Sequence, residues 1–237
     1  MLRRAEDLVV GQPAHAWVSG QLARAWGNDA FPPPSPWEAF CLAAEQHDVG
    51  WADADRAPLL DDDGRPRSFL AYPRSEHVAI WRGAAPRLLA QSRYAALLVS
   101  LHGTSLYERI DPGAYPDDVA AAIRAYLDDE RALQASLSAG LDPAEIDRNR
   151  RLLLALDRFS LALCHGHAAT LDELEVPIAI APEHGAWTVA PWPFAAERVV
   201  VGCEARRLPG TFADAEAARV ALAAAPWVPL RWELKAG

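Results

Sequence analysis

The apolar residues of this chain change their period at His167. Before it they recur at three- and four-residue intervals, as in helices that bury one face. After it they fall in short runs broken by Pro and Gly, as in strands. With 237 residues, the chain is long enough for one globular domain of usual size with a smaller appended unit. The expected fold is therefore mainly α: a helical bundle over residues 1–167 and a small antiparallel β subdomain over residues 168–237 packed on it.

Helix signals cover about residues 12–26, with Val18, Leu22 and Ala25 on one face and Gly27-Asn28 as a stop. Ser35-Pro36-Trp37-Glu38 has the form of a helix start, and Trp37, Phe40, Cys41, Ala44 and Asp48 continue it to Gly50. Residues 51–72, rich in Asp, Pro and Gly, read as a long ordered loop across the end of that helix. Further helices are expected at about 76–91, 93–108, 116–139 and 143–164, the last capped by Asp142 with Pro143 in its first turn. Strands are expected at about 176–181, 187–190, 199–206 and 228–234, with a helix interposed at 214–224.

Charge and rare residues exclude several function classes. The net charge of −9 repels phosphate polymers and anionic membranes, so no nucleic-acid polymer or membrane partner is expected. Lys235 is the single lysine among 23 cationic residues, which removes Schiff-base chemistry and a phosphate-loop lysine from most of the chain. The three cysteines, Cys41, Cys164 and Cys203, are far apart, which argues against a disulfide framework or thiolate zinc site and fits a reducing, cytoplasmic setting. No secretory leader or membrane-length apolar run is visible.

One ordered set of residues carries chemistry. His15 stands on the first helix, His47-Asp48 at the end of the second, and Asp157 on a late helix. Imidazole nitrogens and carboxylate oxygens together suit a divalent transition ion or magnesium, and a bundle can fix such donors from separate helices. Asp157 lies among Leu152, Leu153, Leu156 and Leu161, where a carboxylate is costly unless paired or liganded. His102, on another helix, is a candidate for a second metal or for the substrate.

The order His, His-Asp, Asp resembles the HD-domain superfamily, mostly metal-dependent phosphohydrolases with a branch of di-iron oxygenases. The flanking segments Gln12-Pro13-Ala14-His15, Trp26-Gly27-Asn28, His47-Asp48-Val49-Gly50-Trp51, Leu98-Val99-Ser100-Leu101-His102-Gly103-Thr104, Asp157-Arg158-Phe159-Ser160-Leu161 and Pro191-Trp192-Pro193-Phe194 look like the bacterial domain-of-unknown-function family 3891, over nearly the full chain. This resemblance implies an HD-like helical fold with His15, His47, Asp48 and Asp157 as metal ligands. Many HD enzymes place Lys or Glu three residues after the motif Asp; here that residue is Trp51, which cannot act as a general base.

The leading expectation is a metal-dependent phosphohydrolase acting on a small phosphorylated metabolite or nucleotide. It would hold one or two divalent transition ions, iron, manganese or similar, and use Asp48 and His102 catalytically. Phosphate would be met by metal and by Arg56, Arg67, Arg74 or Arg82, with Trp51 and Trp81 beside the pocket. The alternatives are an HD-type di-iron oxygenase and a non-catalytic metal- or ligand-binding module. Leu98, Val99 and the β unit offer apolar surfaces for a homo-oligomer. Cys164-His165-Gly166-His167 reads as a helix terminus rather than a metal tract, and Asp61-Asp62-Asp63-Gly64 as a solvated turn.

Overall fold

A computed structural model of the protein describes residues 1–5, 7–108, 110–208 and 210–237; of Arg3 and Ala5 it describes the backbone alone. Eight α-helices are found among these residues: α1 (Gln12–Ala25), α2 (Trp37–Gln46), α3 (Ala52–Arg56), α4 (Arg74–Arg82), α5 (Arg93–Ser105), α6 (Asp117–Leu137), α7 (Pro143–His165) and α8 (Ala215–Ala224). Seven strands accompany them: β1 (Leu2–Ala5), β2 (Leu8–Val10), β3 (Ala169–Leu171), β4 (Ile178–Glu183), β5 (Ala186–Ala190), β6 (Arg198–Arg207) and β7 (Trp227–Ala236).

The strands form one sheet in the order β1-β2-β6-β7-β5-β4-β3. It is mixed, because β5 and β7 run parallel while the other pairs are antiparallel. This corrects the expected fold class. The protein is α/β, about 51% helix and 19% strand, rather than mainly α with a small antiparallel β part. Two physical reasons account for the difference. The first ten residues contribute β1 and β2, whose three- and four-residue lengths leave too little alternation to read as strands. The sheet is also no satellite: Leu2, Ile178, Val189, Val201 and Leu234 belong to a single buried cluster with the helical residues Leu22, Phe40, Leu98 and Phe159.

Helix ends follow local chemistry where a cap is available. Asp142 accepts the Ala144 N–H and Pro143 opens α7, while Gly166, at φ 79°, closes it in the left-handed region. Ser35 does not cap α2; that helix begins at Trp37, and the Ser35 carbonyl instead accepts from Asn149 Nδ2 at 2.6 Å. α2 also stops before Gly50, at Gln46. The expected loop after Trp51 contains α3, and its tip is pinned by a bridge between Leu60 and Pro66. Leu98 and Val99 are interior and offer no surface to a second copy.

α1 packs against α2 and α7 and also against β6, so it links the bundle to the sheet. At that seam Gly202 of β6 turns its backbone away from β7. The Gln21 side chain satisfies both groups, donating Nε2–H to the Gly202 carbonyl at 2.7 Å and accepting its N–H on Oε1 at 3.0 Å. Gln21→Ala strips two partly buried backbone groups of their partners and is expected to cost about 1–3 kcal/mol. Urea unfolding of the variant checks this; an unchanged midpoint would show that water replaces the amide. Among the described residues, no helix is long and apolar enough to cross a membrane.

Candidate metal centre

Four elements bring the donors together. His15 sits in the first turn of α1, His47 and Asp48 follow the end of α2, His102 lies near the end of α5, and Asp157 is on α7. The imidazoles are 0–2% exposed and Asp48 is 3% exposed; the Asp157 side chain, at 16%, is the donor nearest to solvent. His15 Nε2 stands 2.6 Å from Asp48 Oδ2, and His47 Nε2 stands 3.9 Å from Asp48 Oδ2 and 3.4 Å from Asp157 Oδ1. His102 Nε2 is 3.8 Å from Asp157 Oδ2. Two donor triads result, His15-His47-Asp48 and His47-His102-Asp157, each with its ligand atoms within 4.8 Å of one another. His47 belongs to both, and these buried groups can hold a metal ion.

Neighbouring groups orient the imidazoles. His47 Nδ1–H donates to the Ala44 carbonyl at 2.9 Å, which turns Nε2 inward, where it is buried with no hydrogen-bond partner. Ser160 Oγ–H donates to the Asp157 carbonyl at 2.9 Å, so its lone pair is free to accept from His15 Nδ1 at 2.8 Å. Ser19 packs against the same hydroxyl at 3.0 Å. The result leaves His15 Nε2 facing Asp48. An inward imidazole nitrogen lacking any partner is what a cation ligand looks like before the cation is counted.

Electrostatics agree with that reading. Burial opposes a charged His47, but the carboxylates of Asp48 and Asp157 outweigh it and lift the imidazole to about 9. Burial also works against an ionised Asp157, yet the imidazole of His47, 3.4 Å away, with His102 and His15 beyond, holds it well below the usual carboxylate range. His102 goes the other way, down to about 4, through burial and then the charge of His47. The cluster thus keeps Asp157 ionised and His102 neutral, both of them ligating forms, whereas His47 carries a proton near neutrality that a bound cation must displace.

The wall beside the donors is made of rings. Trp81 packs on His102 with 5.4 Å between centroids, and Trp51 on His77 at 5.3 Å. Trp51 is buried, meets Tyr72 edge-on, and its Nε1–H has no acceptor. Trp81 can lie on α5 because residue 103 is Gly; a Cβ there would come within 2.9 Å of the indole and 2.5 Å of Tyr126 Oη. His77 joins the wall to Tyr107, donating from Nδ1 to its hydroxyl and accepting from Trp81 Nε1 on Nε2 at 3.4 Å. Burial, then the nearby Arg74, push His77 down to about 4.

The sequence singled out neither His77 nor Tyr107, nor the serines behind His15. The four-residue spacing of His77 and Trp81 on one helix, and of Ser160 three residues after Asp157, were the available signals. The structure brings His15, His47, Asp48, His102 and Asp157 together, with Trp51 and Trp81 alongside. It engages the arginines elsewhere. Arg56 pairs with Asp53, Arg67 bonds the Leu60 and Ala71 carbonyls, Arg74 lies over Tyr107 and Tyr115, and Arg82 pairs with Asp129. Gly166 ends α7 between His165 and His167, whose rings stack 6.3 Å apart, and Asp61 Oδ1 accepts the Asp63 and Arg65 amides in a turn.

A family model described as "Protein of unknown function (DUF3891)" matches residues 1–210, a span that includes all five donors. Comparisons with curated proteins and with solved structures return no match. Because the matched segment covers most of the chain, the protein belongs to the DUF3891 family.

Proposed function

We propose that the protein is an HD-type metal-dependent hydrolase of a small phosphorylated metabolite or nucleotide. The observation that carries this reading is the buried, partnerless Nε2 of His47 at the junction of two donor triads. The mixed nitrogen and oxygen set suits one or two divalent transition ions such as iron or manganese. Bound there, such an ion lowers the pKa of a water molecule and polarises the bond to be broken.

The chain's own residues have distinct parts in this proposal. His15, His47, Asp48 and Asp157 hold the ion, and Asp48 also orients the attacking water. Of the two roles open to His102, ligand and proton donor, the ligand role fits better, since an imidazole lowered to about 4 carries no proton to give near neutrality. Trp51 offers its free N–H to a polar group of the substrate, and Trp81 braces His102. No arginine is in contact with the donors among the described residues, so substrate negative charge must be met at the centre itself.

That last observation favours a second reading, a di-iron oxygenase with His102 as an additional nitrogen ligand. One experiment separates the two. Protein purified without chelator is analysed for metals, then assayed with a panel of phosphomonoesters and nucleotides for phosphate release and, with iron, for oxygen uptake. Metal-dependent phosphate release supports hydrolysis; iron-dependent oxygen uptake without phosphate release moves the protein to the oxygenase class; tight metal binding with neither leaves a binding module.

A further inference from the structure

A cleft of about 860 Å³ opens at the N-terminal end of α1, between α3, β6, α8 and the start of β7, and the proposed chemistry does not use it. Its volume falls in the range of about 300–1,000 Å³ common for small-molecule sites. Met1, Val9 and Leu222 supply a buried apolar floor, and Trp227, 60% exposed, stands at the rim. The family-matched segment ends at residue 210, so α8 and β7 build their wall from beyond it.

Charge in this cleft is unevenly satisfied. Asp55 is paired with the Met1 amino group at 2.9 Å, Arg56 with Asp53, and Arg219 with Glu216. Arg206 has no carboxylate within ion-pair distance among the described residues. Its Nε donates to the Ala225 carbonyl at 3.0 Å and its Nη2 to the carbonyls of Leu222 and Ala223, at the end of α8. Its guanidinium lies 3.9 Å from the centre of the Trp227 ring. Capping the helix thus occupies one edge of the fork and leaves Nη1 without a hydrogen-bond partner among the described residues, fixed in place at the apolar cleft. Among the described residues Glu204, two residues earlier on the same face of β6, is the one acidic side chain of the cleft without an ion-pair partner.

We propose that the cleft binds a small organic anion with an apolar body, the anionic group on Nη1 of Arg206 and the body on Met1, Val9, Leu222 and Trp227. A fixed guanidinium without a counter-ion beside apolar surface is suited to such a ligand, because the cation is already ordered and the desolvated body contributes the area. None of the five donors of the metal centre lines this cleft, and the ligand proposed for it does not rest on what that centre does.

The test titrates 8-anilinonaphthalene-1-sulfonate, and its neutral analogue N-phenyl-1-naphthylamine, into the full-length protein and into metal-depleted protein. Saturable one-to-one binding of the sulfonate is expected in both. Ala223→Trp, at an exposed cleft position of α8, should weaken it about tenfold or more, as should Arg206→Gln, which keeps amide donors for the helix carbonyls. Arg206→Gln should leave the neutral probe within about twofold, and Glu204→Gln should tighten the sulfonate about two- to threefold. Circular dichroism confirms that each variant is folded. Non-saturating binding, equal affinity in Ala223→Trp, or equal loss of both probes in Arg206→Gln overturns the proposal. So does a concentration-dependent dimer that the probe dissociates, which would assign the cleft to a second copy.

Discussion

Replacing His47 by Ala is expected to abolish metal retention: elemental analysis should find about one or two equivalents in the wild-type protein and affinity lowered by at least about 100-fold in the variant. The size of the effect follows from His47 belonging to both donor triads. His15→Ala and His102→Ala each remove a donor from one triad only, so each should keep more metal than His47→Ala. The helices need not suffer, because the imidazole's single hydrogen bond is to the carbonyl of Ala44 on its own helix. Far-ultraviolet circular dichroism of the metal-free proteins should therefore superpose. Full occupancy in His47→Ala would remove the centre from consideration.

Acidification should destabilise the protein through His77. In the folded state burial and Arg74 hold this imidazole at about 4, against an ordinary value of 6.5 when the chain unfolds. Between those values the unfolded chain binds a proton that the folded chain refuses, so stability is complete above pH 6.5, falls as pH drops towards 4, and levels off below it. The window spans about 2.5 pH units, which corresponds to about 3 kcal/mol. His77→Gln should remove this component, so that wild type loses about 3 kcal/mol more than the variant between pH 7 and 4. Urea midpoints measured across that range give the comparison, and parallel curves would show that His77 takes its proton in the folded state.

The donors were legible in the sequence because their chemistry is unusual for where they stand. Asp157 interrupts an apolar stripe, and His47-Asp48 closes a helix whose face is otherwise apolar; position alone marks them. The ends of α7 were legible for a similar reason, since Asp142, Pro143 and Gly166 act within one turn of where they are found. What failed to show depends on distant partners. β2 becomes a strand because β6 lies beside it, β1 pairs with β2 in turn, and no local pattern in ten residues announces that. His77 is held in the wall by Tyr107, thirty residues on, and the arginines of the covering segment look available to substrate until their carboxylate, carbonyl and ring partners are seen.

The pairing of β2 with β6 has a consequence for how the chain matures. Leu8 meets Arg207, so the sheet cannot close until residue 207 has left the ribosome. Such long-range pairing slows folding, since a large loop must be ordered before its contacts form. The donors lie earlier, between His15 and Asp157, on helices whose mutual contacts precede β6 in the chain. During synthesis all five donors thus emerge before the strands that complete the sheet, and an ion bound to them would tie α1, α2, α5 and α7 together while those strands arrive.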